Sequence, residues 1–172
     1  MNSQVNTQVE VGNDVNLVAL WTSVDVTRWI AGIIAGAIAA AISMFVGGLL
    51  STSQGYEFIF PIKLLGTAVL GGSATGYGNT QGLIVGLAVL GAITMFWGFV
   101  FGHFVRTNKF WGLLGMGFTW GAFTWVFVWN LFLHSSPAIG ASNVPSGPAF
   151  ACCLAYGFGM MTIALVDKVI RR

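Results

Sequence analysis

Four long apolar runs constrain this chain more than any other feature of its sequence. They lie at about 29–50, 82–104, 110–132 and 149–166, and none has an Asp, Glu, Lys or Arg residue at its centre. A helix rises about 1.5 Å per residue, so about 20 residues cross a hydrocarbon core that is about 30 Å thick. Each run therefore predicts a transmembrane helix, and together they predict an all-α membrane protein with four spans.

The composition excludes several classes of soluble protein. Charged residues make up 7% of the 172 residues and hydrophobic residues 56%, whereas an average soluble domain is about 25% charged. The net charge of +2 is too small for a nucleic-acid-binding surface. We therefore expect membrane lipids as the surroundings, no nucleic acid partner and no hydrated enzyme domain.

Two further segments flank or interrupt the spans. Residues 1–28 are predicted to form a polar cytoplasmic tail ending in an interfacial helix, because apolar residues recur at helical spacing from Leu17 to Val24. Residues 29–172 are predicted to form the transmembrane domain. Within it, Pro61 opens an apolar run at about 61–70 that is too short to span, which predicts an interfacial or re-entrant helix.

The basic residues predict the orientation of the spans. If the N-terminus is cytoplasmic, six of the seven Lys and Arg residues are cytoplasmic and only Lys63 lies outside. The six are Arg28, Arg106, Lys109, Lys168, Arg171 and Arg172. Since Lys and Arg favour the cytoplasmic side of short loops, both termini are predicted to be cytoplasmic.

Small and aromatic residues form the candidate packing surfaces. Helices in lipid associate through close contact of small residues, and Gly32 and Gly36 lie on such a stripe in the first span. Trp120 and Trp125 lie near the middle of the aromatic third span, where they face lipid, line a quinone or pigment pocket, or contact a neighbouring protein. These four residues are the candidates for docking other membrane subunits, while the glycine stripe also fits internal packing or a homo-oligomer.

Few residues are suited to cofactor or metal chemistry. His103 and His134 are the candidate haem or metal ligands, but they lie at opposite membrane faces, about 30 Å apart, and cannot share one haem iron within a chain. The adjacent Cys152 and Cys153 are expected to be packing residues. Because no residue cluster has the spacing of a metal or acid–base site, we expect no catalytic residue, no enzyme activity and no cofactor.

A passive channel or small-solute transporter is the first alternative function. Thr75, Gly76, Tyr77 and Gly78 are similar to the selectivity filter of potassium channels, in which backbone carbonyls replace the hydration shell of the ion. A proton pump or antiporter is not favoured, because no buried charge is expected at membrane depth. The polar residues within the spans are instead uncharged: Ser43, Thr94, Thr119, Thr124, Asn130, Tyr156 and Thr162.

Residues 29–132 resemble the YagU-type small bacterial inner-membrane proteins. The resemblance is carried by GIIAGAIAAAISM in the first span, FPIKLLGTAVLG in the short helix, GHF at the end of the second span, and WGLLGMGFTWGAF in the third. It implies a bacterial inner-membrane location and carries over no catalytic residue. The polar N-terminal tail and the aromatic third span depart from the family pattern.

These features together predict a non-catalytic integral membrane subunit. We expect it to pack against larger partners in a membrane complex, such as a respiratory or other electron-transfer assembly. A membrane protein that binds a quinone, a pigment or haem is the second alternative, after the channel or transporter.

Overall fold

The computed structural model describes residues 24–133 and 146–172. All regular secondary structure in these residues is helical. Most of the predicted interfacial helix of the N-terminal tail, and His134, lie outside the described residues.

Four helical segments are long and apolar enough to cross a membrane. The first two are α1 (Val26–Ser53) and, after the short helix α2 (Phe60–Leu70), α3 (Thr80–Phe104). The third is α4 (Phe110–Thr124), which continues as a π-helix at Trp125–Leu133. The fourth consists of α5 (Ser146–Gly159), a 3₁₀ turn (Met160–Thr162) and α6 (Ile163–Ile170). The protein is therefore an all-α, multi-pass membrane protein, as the sequence predicts.

The first span begins three residues before its predicted start. The Asp25 side chain caps α1 by accepting a hydrogen bond from the main-chain nitrogen of Arg28, at 3.0 Å. This cap satisfies a main-chain donor that the first turn of a helix otherwise leaves unpaired. Arg28 is consequently part of α1 and does not precede it.

Glycines allow α1 and α3 to approach each other closely in antiparallel orientation. A Cβ atom at Gly36 would lie 2.6 Å from the carbonyl oxygen of Thr94, and one at Gly102 would lie 2.7 Å from the carbonyl oxygen of Arg28. Gly32 and Gly98 also pack directly on each other's main chain. Larger side chains would separate the two helices, so the small-residue stripe of α1 is used within the chain.

A second close contact joins α4 to α5, and α1 packs against both α3 and α5. A Cβ atom at Gly117 would lie 2.8 Å from the carbonyl oxygen of Gly157, and Gly159 packs against Ala39 of α1. The shared core is fully buried and contains Ala31, Ala35, Ala39, Phe101, Met160 and Ile163. Many large apolar side chains on the outer faces are exposed, as expected of helices in contact with lipid.

The short helix α2 lies beside the longer helices and not beyond their ends. After α1 ends, the chain turns back so that Phe58 packs on Gly48 and Pro61 packs on Gly47. Helix α2 then runs outward along α3, with Gly66 against the main chain of Gly82. The chain thus enters and leaves at one end of the bundle, which favours the re-entrant alternative.

The bundle has an ionic end and a loop end. The ionic end is where α1 and α4 begin and α3 and α6 end, with Arg28 and Asp167 in contact. The loop end is where α2 and the glycine-rich loop at 71–79 lie.

The α1–α3 contact predicts that Gly98→Ala destabilises the protein by about 1–3 kcal/mol, because the added methyl group forces the two backbones apart. Gly91→Ala is the matched control, since nothing lies within 4 Å of the corresponding Cβ position on the same helix. Thermal unfolding in detergent measures both variants. Equal melting temperatures for Gly98→Ala and Gly91→Ala would contradict the close contact.

Candidate functional site

Arg28 is the centre of a buried ionic cluster at the ionic end. Arg28 is only 3% exposed. All five N–H donors of its guanidinium form hydrogen bonds. Nε and Nη2 donate to the carbonyl oxygen of Val105 at 3.2 and 3.1 Å, and Nη2 also donates to that of Thr107 at 3.1 Å. Nη1 donates to Asn108 at 2.8 Å and to the Asp167 carboxylate at 3.0 Å. Arg28 therefore connects α1 to the α3–α4 loop and to α6.

Three more ion pairs surround this contact. Arg171 donates to Asp167 at 2.9 Å and to Asp25 at 2.6 Å, and Arg106 lies 3.8 Å from Asp25. Burial raises the pKa of Asp25, but hydrogen bonds from the Arg28 amide and the Arg171 guanidinium, together with the nearby arginine charges, bring this pKa below its ordinary value of 3.8. Asp25 is therefore charged at neutral pH.

A second buried charge lies at the loop end. Lys63 of α2 is 1% exposed, and its ammonium donates to Glu57 and, at 3.0 Å, to the carbonyl oxygen of Gly76. Glu57 also accepts from the main-chain nitrogen of Gly78 at 3.1 Å. Hydrogen bonds from Lys63 and then from Gly78 lower the pKa of Glu57. This ion pair ties the glycine-rich loop to the start of α2.

The expectation of no buried charge is thus wrong for Arg28, Lys63 and Asp167. All three lie near the ends of helices, where the runs of apolar residues stop. A search for charges at the centres of spans does not detect them. Each is paired with an opposite charge and hydrogen-bonded, as buried charges require.

The loop proposed as a selectivity filter is held by this ion pair. The Gly76 carbonyl accepts from Lys63 and the Gly78 amide donates to Glu57, while the Tyr77 side chain is 94% exposed. The Thr75 hydroxyl donates to the main chain of Gly72 at 3.0 Å. A filter needs carbonyl oxygens that are free to coordinate the ion, so this geometry adds no support to the channel alternative, which stays a prediction.

The candidates for subunit docking are engaged within the chain. Gly32 and Gly36 lie in the α1–α3 contact. Trp120 stacks on Phe123 with ring centroids 5.2 Å apart, and Trp125 contacts Phe150 edge to face at 5.2 Å. The indole nitrogens of Trp120 and Trp125 are buried without a hydrogen-bond partner among the described residues. Docking onto a larger complex stays a prediction from the sequence.

The described histidine is part of an aromatic contact at the ionic end. This residue, His103, is half-buried. Its Nδ1 atom accepts a hydrogen bond from the Trp29 indole at 3.1 Å. Among the described residues, no group of three or more His, Cys, Asp or Glu side chains could hold a metal ion. The structure brings the His103 ring together with those of Trp29 and Phe104.

A cavity of about 160 Å³ lies inside the loop-end half of the bundle. Its walls come from α1, α2, α3, α5 and the third span, and they are almost entirely apolar and aromatic, including Phe60, Trp97 and Trp129. Along α1 the lining extends from Ala40 to Ser51, a rise of about 16 Å at about 1.5 Å per residue. Gln54 and Tyr56 lie at the outer end of the cavity.

The π-helix contributes part of this wall. Val128 and Trp129 line the cavity from the π-helical segment, and the Asn130 side chain donates to the main-chain oxygen of Trp125 at 3.0 Å. A π-helix is a wider, rarer form that occurs frequently at functional sites.

Four buried hydroxyl groups are the main polar side chains of the inner wall. Each is 6% exposed or less and each donates its proton to a main-chain carbonyl. The bonds are Ser43 to Cys152 at 2.8 Å, Thr94 to Leu90 at 2.7 Å, Thr124 to Gly121 at 2.9 Å and Tyr156 to Thr94 at 3.2 Å. Cys152 and Cys153, expected to be packing residues, also line the cavity.

The sequence predicts that these four hydroxyl residues lie within the spans, but it does not place them together. They come from α1, α3, α4 and α5, and no short motif connects them. The sequence signal that indicates the cavity is the combination of polar residues in all four spans with an apolar helix that is too short to span. Such a helix must pack between the others, and its packing shapes a cavity.

Comparison of the chain with protein-family models, with curated proteins and with solved structures found no match in any of the three. The resemblance to YagU-type proteins stays a prediction.

The ionic cluster predicts that Arg28→Met destabilises the protein by about 3 kcal/mol or more, because the variant removes five hydrogen bonds and leaves buried acceptors unpaired. Arg28→Lys should restore little, since an ammonium cannot reproduce the planar five-donor geometry. Lys109→Met, at an exposed basic residue of the same end, is the control. Equal unfolding temperatures for Arg28→Met and Lys109→Met would contradict the structural role of Arg28.

Proposed function

We propose that this protein binds a small, neutral, apolar molecule within the membrane, in the cavity between its spans. The observation that carries the proposal is the cavity itself, with its apolar aromatic wall and its volume of about 160 Å³. Engineered apolar cavities of about 150 Å³ hold a benzene molecule. A ligand with one ring, or a branched chain of similar size, matches this volume.

The lack of charged side chains among the described lining residues supports a neutral ligand. No Asp, Glu, Lys, Arg or His is among the described residues that line the cavity. A charged ligand would be costly at this depth without an opposite charge. Of the expected alternatives, a quinone-type ring fits these walls better than haem, because none of the described lining residues is a histidine and the volume suits a single ring.

The path into the cavity is proposed to lie at the loop end. The polar residues Ser51, Gln54 and Tyr56 border the cavity there, next to the chain that leads into α2. Tyr56 stacks on Phe60 with ring centroids 4.4 Å apart. A molecule entering from this side meets polar side chains first and aromatic walls further in.

Binding of p-xylene to the protein in lipid nanodiscs tests the proposal. We expect saturable binding by the wild type, with a stabilisation of about 1.4 kcal/mol at a free concentration about ten times Kd. Ala149→Leu should abolish it, because Ala149 is a buried lining residue and the larger side chain fills the space. Ala68→Leu, on the exposed face of α2, should bind as the wild type does. Calorimetry that detects no saturable binding, or equal binding by Ala149→Leu, would refute the proposal.

The location in a bacterial inner membrane with cytoplasmic termini is likewise proposed. It is supported by the position of six basic residues near the ionic end, whereas Lys63 is buried in an ion pair at the loop end. Basic residues favour the cytoplasmic face.

Cysteine labelling in intact cells tests this orientation. In a background with Cys152→Ala and Cys153→Ala, we expect the exposed Ser73→Cys to react with an impermeant thiol reagent and the exposed Arg172→Cys to react only after cell lysis. The two positions lie at opposite ends of the bundle and each serves as the control for the other. The reverse labelling pattern would overturn the orientation.

A further inference from the structure

Four hydroxyl groups of the inner cavity wall use their protons within the protein. Ser43, Thr94, Thr124 and Tyr156 each donate to a main-chain carbonyl, at 2.7–3.2 Å. A hydroxyl group has one donor and two acceptor lone pairs. What these four groups offer to a ligand is therefore acceptor capacity.

The four hydroxyls differ in whether the hydrogen bond that each donates joins two helices. The Ser43 and Tyr156 hydroxyls form hydrogen bonds that join different helices, to Cys152 and Thr94. The Thr94 and Thr124 hydroxyls bond to carbonyls of their own helices, those of Leu90 and Gly121. Both threonines line the cavity, so replacing them removes acceptors from the wall and leaves the hydrogen bonds that Ser43 and Tyr156 donate between helices in place.

We infer that the cavity selects a molecule with a hydroxyl donor, such as an alkylated phenol or a hydroquinone, over an ether or a quinone of the same size. This inference rests on the proposed function, since it names the chemical class of the ligand in the same cavity. A ligand hydroxyl that enters an apolar cavity loses its hydrogen bonds to water and needs an acceptor. Thr94 and Thr124 supply that acceptor. A bare ether or carbonyl oxygen beside them would instead need a donor, and the four inner-wall hydroxyls have already donated their protons. The other hydroxyl and amide donors of the described lining, those of Ser51, Gln54 and Tyr56, lie at the outer end of the cavity.

Three ring-sized probes test the ligand class: p-cresol, 4-methylanisole and p-xylene. Their dissociation constants are measured with the protein in nanodiscs and corrected for partition into empty nanodiscs. We expect the wild type to bind p-cresol about 3- to 10-fold more tightly than 4-methylanisole, the factor that corresponds to one net hydrogen bond.

Threonine-to-valine variants test the acceptors. The double variant Thr94→Val, Thr124→Val should reduce the preference for p-cresol over 4-methylanisole to about 1. Binding of p-xylene by the same variant reports whether the cavity keeps its shape. Thr119→Val is the matched control, since the Thr119 hydroxyl makes the same kind of bond to Gly115, at 2.9 Å, but is exposed and outside the cavity wall. If the double variant no longer binds p-xylene, the single variants are compared, and each should lower the preference for p-cresol.

The outcomes separate this inference from the proposed function. Equal binding of p-cresol and 4-methylanisole by the wild type would overturn the inference and leave the apolar cavity as a binding site. A preference that persists unchanged in the threonine variants would also overturn it, because other groups would then accept the hydroxyl. Failure of all three probes to bind would refute both.

Discussion

Helices α1 and α3 can approach to main-chain contact only because glycines face each other, and the positions of the other elements depend on this approach. In lipid, the hydrophobic effect gives little drive for helices to associate, so close van der Waals contact must provide it. The contact is concentrated in the half of the bundle near the ionic end, at Gly32, Gly36, Gly98 and Gly102. Towards the loop end, α2 packs on α3, and the cavity lies among the helices.

The part of the cavity wall that α2 contributes is positioned by contacts at the loop end. Helix α2 is too short to span, so it covers only part of the length of α1 and α3. Its own close contact, Gly66 on Gly82, fixes it against α3, while the Lys63–Glu57 pair holds its first turn to the glycine-rich loop. A charge pair at the edge of the bundle thus positions an apolar wall inside it.

Much of this fold could be predicted from the sequence because spans are defined by local composition. The four apolar runs and the helix that begins near Pro61 are local signals, and the structure places helices at each of them. The buried charges and the cavity are not local. Arg28 and Asp167 are 139 residues apart in sequence, and the four cavity hydroxyls belong to four different helices. Neither arrangement gives the sequence a residue spacing from which the contacts could be predicted.

The ionic cluster also has a consequence for the order of events during synthesis. Arg28 lies in the first span, but its carboxylate partner lies in the last helix, and Asp25 bonds to Arg171, 146 residues later. The first span is therefore inserted long before its charged end acquires these partners. Until α6 is made, the guanidinium must stay hydrated at the membrane surface or bond only to the α3–α4 loop. Closure of the cluster is a late, long-range step, and a chain that stops before α6 would leave Arg28 without its ion pair.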